Sequence, residues 1–372
     1  MAEVGFGAAR ITPALPVVLA GFGARKGPVS EVHDDLEVHA VVFRDGELTL
    51  CLLVLDLLLL GPDYAHPIRA AVAATLGIPK ANVLTSCTHT HSGPAATRSM
   101  RIIGWPAQAG YCDRLIQRCV DAATIAAACC TPAEFRFASA PLPEGLSLNR
   151  RGLDYHPTFA ALDIRRPDGG RIGSIANIAI HPVAAGITAR AVSRDWVGSF
   201  RDEATLLTGA PCVLLPGALG DVNPTRDAHT NPDPGGNWET ARQLGVDVAR
   251  CVADLLDKTV PAGERASAAR HRIERIKAGF TVPSVLVLKA GRSVEVELTE
   301  WALGETRLVS LPGEAFHRLG VEVTESRDDP VLLAGLAPHW LGYLPCPFGT
   351  GYEEKMSFGK GFVERLRAAL LV

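Results

Sequence analysis

The hydrophobic pattern changes period along the chain. Val38–Phe43 and Leu48–Leu57 are near-continuous apolar runs either side of the polar turn Arg44-Asp45-Gly46-Glu47. Runs of this length, closed by a Gly-containing turn, predict two buried strands. Tyr64–Leu76 switches to the Ala-rich pattern of a helix and stops at Gly77, a residue that terminates helices well. Val83–Ser86 predicts a short strand and Ala107–Cys130 a long Ala-rich helix. Further strands are expected at Arg171–Ile180, Cys212–Leu215, Val294–Trp301, Thr306–Leu311 and Leu332–Leu336. Helices are expected at Asp202–Leu207 and Glu239–Asp257, and from near Glu314, where Pro312-Gly313 turns the chain. Thr225–Gly236 reads as a polar Gly/Pro-rich loop and Trp340–Gly351 as an aromatic, Pro-rich one. Val4–Gly7 and Leu366–Val372 are apolar enough to be pairing or packing segments. Strands and helices are intermixed, without repeats or a clean linker. The pattern predicts an α/β fold, mixed β-sheets flanked by helices, as a single domain over residues 1–372.

Composition narrows the setting. The 372 residues are 47% hydrophobic and 21% charged, with net charge −3. A chain of this length buries about three-quarters of its unfolded surface, and it lacks the basic excess that nucleic-acid binding requires. The 36 glycines and 26 prolines suit a loop-rich enzyme better than a helical bundle. Nine cysteines, an odd number with no CxxC spacing, favour free thiols in a reducing compartment over a disulfide framework. Met1–Phe6 has neither the charged nor the apolar region of a secretory signal. The most apolar run, Leu48–Leu60, is too short to span a bilayer and contains Asp56. A cytoplasmic protein without a transmembrane segment is therefore expected.

Candidate chemistry concentrates at a few turns. His89-Thr90-His91 follows a predicted strand and precedes Ser92-Gly93-Pro94. On an extended backbone, residues i and i+2 face the same side, so both imidazoles can serve one site. The plainer reading is two surface histidines. The following residues do not fit a metallo-β-lactamase pattern, and the preceding strands do not fit a (β/α)8 amidohydrolase. His181 ends an apolar strand before Pro182 and reads as a site residue or a satisfied buried histidine. Glu314 is a candidate carboxylate or an ordinary acid in a helical first turn. Arg150 is a candidate oxyanion or carboxylate partner, or a solvated charge. Gly220–Pro224, with Asp221 and Asn223, lets backbone approach a ligand or forms a tight turn. Tyr343 by itself is a loop aromatic. Cys87, two residues before His89, would be an inert buried thiol rather than a nucleophile.

Together these pieces resemble the neutral/alkaline (non-lysosomal) ceramidase family, in its N-terminal catalytic domain. Thr88–Pro94 matches the family's THTHSGP signature, Asn149-Arg150 the start of its NRS motif, Gly220–Pro224 its GDVSPN segment and Pro312-Gly313-Glu314 its PGE. His181 and Tyr343 fall where the family has a histidine and a tyrosine, and Gly5–Pro13 with Ala20-Gly21-Phe22 resembles its opening. The motifs keep their order from about residue 4 to 355. The resemblance implies zinc (Zn2+) held by His89, His181, Glu314 and Tyr343, with His91 as base and Arg150 at the substrate's polar head or the oxyanion. It implies hydrolysis of the C–N amide bond of an N-acyl substrate by a zinc-activated water. Ester or lactone hydrolysis, or intramolecular amide formation, is the alternative use of such a site. Asp56 and Asp221 are candidate acceptors for the far N–H groups of ligating histidines.

Two departures shape the substrate expectation. Asn223 stands where the family has serine; it can still hydrogen-bond, and is kept as a catalytic candidate. The chain is also shorter than typical members and is expected to lack their C-terminal sandwich domain. Both point to a small or amphiphilic amide rather than ceramide.

Overall fold

The apolar runs do become strands, and their burial explains their composition. Glu37–Asp45 and Leu48–Leu55 pair antiparallel around Gly46, whose φ of +60° a tight turn requires. Every residue of Leu50–Leu55 is buried, because both faces of the strand are covered. The computed structural model describes residues 1–98, 105, 108–225, 233–278 and 293–371. Within these, the large sheet runs in the order Cys212–Pro216, Arg171–Ile178, Thr158–Arg165, Thr131–Pro141, Ala2–Arg10, Glu37–Asp45, Leu48–Leu55, Val83–Cys87. Val260–Pro261 adds a short pairing to Thr131–Pro141. Parallel pairing occurs at the two ends of this sheet, and the remaining pairs are antiparallel. A second, four-stranded sheet consists of Ala266–Lys277, Ser293–Leu303, Thr306–Ser310 and Val331–Ala334.

Alternation along the strands assigns the layers. Val41, Phe43, Leu52, Leu162 and Ile175 face the second sheet and meet Trp301, Leu308 and Leu332. The opposite face is covered by two pairs of helices. Pro62–Leu76 and Tyr111–Ala128 lie over Val38, Ala40 and Leu53. Trp196–Thr208 and Trp238–Leu256 lie over Ala161, Ala176 and Leu214. Helices His317–Glu325 and Lys360–Leu370 cover the outer face of the second sheet. The result is a helix–sheet–sheet–helix stack, α/β with mixed sheets as the sequence pattern predicts. Among the described residues, no helix is long and apolar enough to cross a membrane.

Several boundaries differ from expectation. Ala2–Arg10, Thr131–Pro141, Thr158–Arg165 and Ala266–Lys277 are strands with no element assigned to them. Thr131–Pro141, for example, follows the long helix directly, and its alternation is confined to Ala133–Phe137. The helix expected at Asp202–Leu207 begins at Trp196, where Asp195 caps it by accepting from the Trp196 N–H. Glu314 does not start a helix. It sits in the two-residue strand Glu314–Ala315, parallel to Tyr343–Leu344, and the helix begins at His317. Tyr343 thus leaves its loop to pair opposite Glu314. Of the other expected segments, Ala107, residues 226–232 of the polar loop and Val372 lie outside the described residues.

All nine cysteines are free. Burial pushes the Cys87 thiol well above its ordinary value, which fits an inert core thiol.

Candidate metal centre

The site forms where strands of the large sheet end. Its two edge strands, Val83–Cys87 and Cys212–Pro216, approach one another. The residues beyond their C-terminal ends therefore share one region, as in open α/β sheets generally. From one edge comes Thr88–Pro94, from the other Gly217–Pro224, and from the neighbouring strand Arg171–Ile178 comes His181.

His89 leaves its strand with φ +71°, a left-handed conformation that is uncommon outside glycine and typical of functional turns. The two imidazoles of the motif therefore converge through a turn rather than by strand alternation. The His89 ring lies 5.1 Å from that of His91 and 4.9 Å from that of His181, with 5.7 Å between His91 and His181. The three can hold a metal ion, with ligand atoms within 4.8 Å of one another.

Hydrogen bonding decides which nitrogens are available. His89 Nδ1 lies 2.6 Å from the Leu58 carbonyl and His181 Nδ1 3.0 Å from the Val222 carbonyl. A carbonyl only accepts, so each Nδ1 carries the proton and, in the neutral ring, each Nε2 presents a lone pair. Both lone pairs meet Glu314 Oε2, at 3.2 Å from His89 and 3.7 Å from His181. Glu314 Oε2 has no hydrogen-bond partner, and neither does either ring nitrogen of His91. His89, His181 and Glu314 are all at most 3% exposed. Three lone-pair-bearing atoms facing each other in a buried pocket are costly unless a cation lies between them. The donor set, imidazole nitrogens and a carboxylate oxygen, suits zinc.

Burial and neighbouring charges both act on these groups. Burial lowers the His181 pKa, favouring the neutral imidazole that metals bind. Burial, with His89 and His181 beside it, pushes His91 well below its ordinary value. Burial opposes ionisation of Glu314, yet His89 and His181 in their protonated forms hold its carboxyl well below the usual range, a positive charge that a bound cation would supply in their place. Burial and the Glu314 charge push the Tyr343 phenol well above its ordinary value.

The other sequence-predicted residues make the following contacts. The Arg150 guanidinium is 6.0 Å from the Tyr343 ring centroid; it pairs with Glu353 Oε1 at 2.6 Å and donates to the Gly220 carbonyl. Asn223 lies one residue beyond Val222, opposite Leu148. Asp56 and Asp221 do not play the expected part, because carbonyls take the histidine N–H groups. Asp56 instead accepts from Arg201, Thr88 and the Glu37 backbone. Asp221 binds Asn149 and the His317 backbone.

Three further residues contribute contacts that no local motif marks. Trp340 Nε1–H donates to Glu314 Oε1 at 2.8 Å; a buried indole needs an acceptor, the one hint the sequence carries of this contact. Arg25 donates to the His91 carbonyl at 2.6 Å and packs on Phe22, whose ring stands edge-on to His91 at 4.8 Å. Glu353 had no local signal; only its contact with Arg150 reveals it.

No protein-family model matches the chain, and no curated protein matches it. Solved structures do. A neutral ceramidase from Pseudomonas aeruginosa superposes with a TM-score of 0.82 at 16% identity, covering 100% of this chain and 73% of that one. A ceramidase complexed with C2 superposes at 0.81, with the same identity and coverage. Over its whole length, this chain has the fold of neutral ceramidase.

Proposed function

We propose that this chain is a zinc-dependent hydrolase that cleaves the C–N amide bond of an N-acyl substrate. The observation that carries this reading is the meeting of the His89 and His181 Nε2 atoms with the unpartnered Glu314 Oε2. The fold shared with two ceramidases supports amide hydrolysis as the reaction. His89, His181, Glu314 and Tyr343 would hold the ion. When bound, it would supply a water acidified toward a pKa of about 7 and polarisation of the substrate carbonyl.

The protein's own residues then have separable tasks. His91 touches neither oxygen of Glu314 in the way its neighbours do, and both its ring nitrogens are unpartnered and shielded. Neutral at pH 7 by its lowered pKa, it accepts the proton released by the attacking water and passes it to the leaving nitrogen. Arg150, braced by Glu353 and the Gly220 carbonyl, orients the polar end of the substrate. Asn223 offers a neutral amide for the same purpose. The Tyr343 phenol, kept protonated in the absence of metal, would donate to the developing oxyanion.

Elemental analysis of the purified protein before and after chelation tests the metal. One zinc per chain is expected, with uptake lost in His89→Ala, His181→Ala and Glu314→Ala; tight binding by all three would refute the assignment. Turnover of N-acyl amines, set beside esters and lactones, tests the reaction. Hydrolysis of esters or lactones without any amide cleavage would overturn it.

A further inference from the structure

Resting on that reading of the metal centre, we infer that Asp221 is a positioning residue, and that its buried carboxylate fastens the Arg150 segment to the Glu314 segment. Asp221 is fully buried. Its two oxygens point to different parts of the site. The Asn149 Nδ2–H group donates to Oδ2 at 2.7 Å, and the His317 backbone N–H donates to Oδ1 at 2.7 Å. Asn149 directly precedes Arg150, and His317 opens the helix three residues after Glu314. A carboxylate at a helix N-terminus is further stabilised by the helix dipole.

The backbone around Asp221 completes the hub. The Gly220 and Asp221 carbonyls accept from the Arg150 side chain and backbone N–H, while the Gly220 N–H donates to the Ala315 carbonyl at 2.7 Å. The Val222 carbonyl accepts from His181, at both its backbone N–H and Nδ1, each at 3.0 Å. Residues 220–222 thus hold His181, Arg150 and the Glu314 strand at once. The Asp221 carboxylate is the side chain that fixes this arrangement.

The donor–acceptor pattern offers a specific test. Asp221→Asn keeps the shape but turns one oxygen into an NH2 group, which must face either the Asn149 amide or the His317 N–H, both donors. Asn149→Asp keeps the shape but sets two buried carboxylates against each other. In the double variant the pattern is restored with its polarity reversed. The introduced amide at 221 donates to the introduced carboxylate at 149 and still accepts from His317. That carboxylate also still accepts from the Arg151 N–H, as Asn149 Oδ1 does at 2.9 Å.

Zinc affinity, by competition with a chelator, and kcat/KM for an N-acyl amine are measured on the full chain. Each single variant should lose about 10–100-fold in both, and the double should regain roughly tenfold or more over either single. If a single variant does not fold, the double should fold and bind zinc. A double variant no better than the singles, or an Asp221→Asn protein binding zinc as tightly as wild type, overturns the inference. Wild type that takes up no zinc would sink the proposed function and this inference together, so the two failures are distinguishable.

Discussion

Two buried carboxylates, Glu297 and Glu314, gather basic side chains from distant segments, and they differ in how their oxygens are satisfied. At the first, Arg69 of helix Pro62–Leu76 donates Nη1–H to Glu297 Oε2 at 2.7 Å and Nη2–H to Oε1, and Nε–H to the Val83 carbonyl at 2.6 Å. His271 Nε2 adds a contact to Glu297 Oε1 at 2.8 Å. Hydrogens face lone pairs throughout, so the cluster is complete and ties the helix to the second sheet. At the second, His89, His181 and Glu314 turn lone pairs toward one another, and His91 has none of its ring nitrogens engaged. Both carboxylates are buried; only one is satisfied. A satisfied buried cluster reads as structure, and an unsatisfied one as a place for a ligand.

Substitutions can break this contrast. The largest effect is expected from His91→Ala. Turnover should fall by about 10²–10⁴, with zinc content and melting temperature retained; unchanged turnover would remove His91 from the chemistry. Arg69→Met should act in the opposite way. It strands Glu297 and should cost about 3–5 kcal/mol in denaturant unfolding, while the folded fraction binds zinc normally. Loss of zinc affinity there would mean the two clusters are coupled.

Trp340→Phe removes the donor on Glu314 Oε1 and should weaken zinc binding by about 10–100-fold, read by chelator competition. The smallest effect is a matter of pH. Although burial raises it, the Arg69 hydrogen bond and charge, joined by His271, bring the Glu297 pKa down to about 2 from 4.5. A depressed carboxylate stabilises the fold above its unfolded pKa and loses that contribution as pH falls through the folded one. The wild-type protein should therefore lose this stability between about pH 4.5 and about 2, and Arg69→Met should flatten that part of the profile.

Much of the site could be read locally, for physical reasons that also mark where reading stops. His89-Thr90-His91 between a strand and a Gly-Pro turn is a local pattern, and so is His181-Pro182 at a strand end. Glu314 reads locally as a carboxylate at a helix start, because its strand pairing with Tyr343 involves residues about thirty positions apart. The sequence offers Asp56 and Asp221 as acceptors for the histidine N–H groups. The acceptors are carbonyls of Leu58 and Val222, and every residue has a carbonyl, so composition cannot single them out. Thr131–Pro141 alternates only over Ala133–Phe137, directly after a long helix, and the structure adds its pairing with Ala2–Arg10 and Thr158–Arg165.

The sequence alone determined the local elements: the buried strands around Gly46, the helix ending at Gly77, the motif that supplies two imidazoles, and the α/β class. Periodicity and turn chemistry are properties of short stretches, so a single chain displays them. Only the tertiary structure decided that the sheet's two edges meet, that two Nε2 lone pairs converge on one carboxylate oxygen, and that Asp221 binds Asn149 and His317. Those outcomes depend on the closure of long loops and on the direction of individual N–H and C=O groups, which packing sets after the local elements have formed.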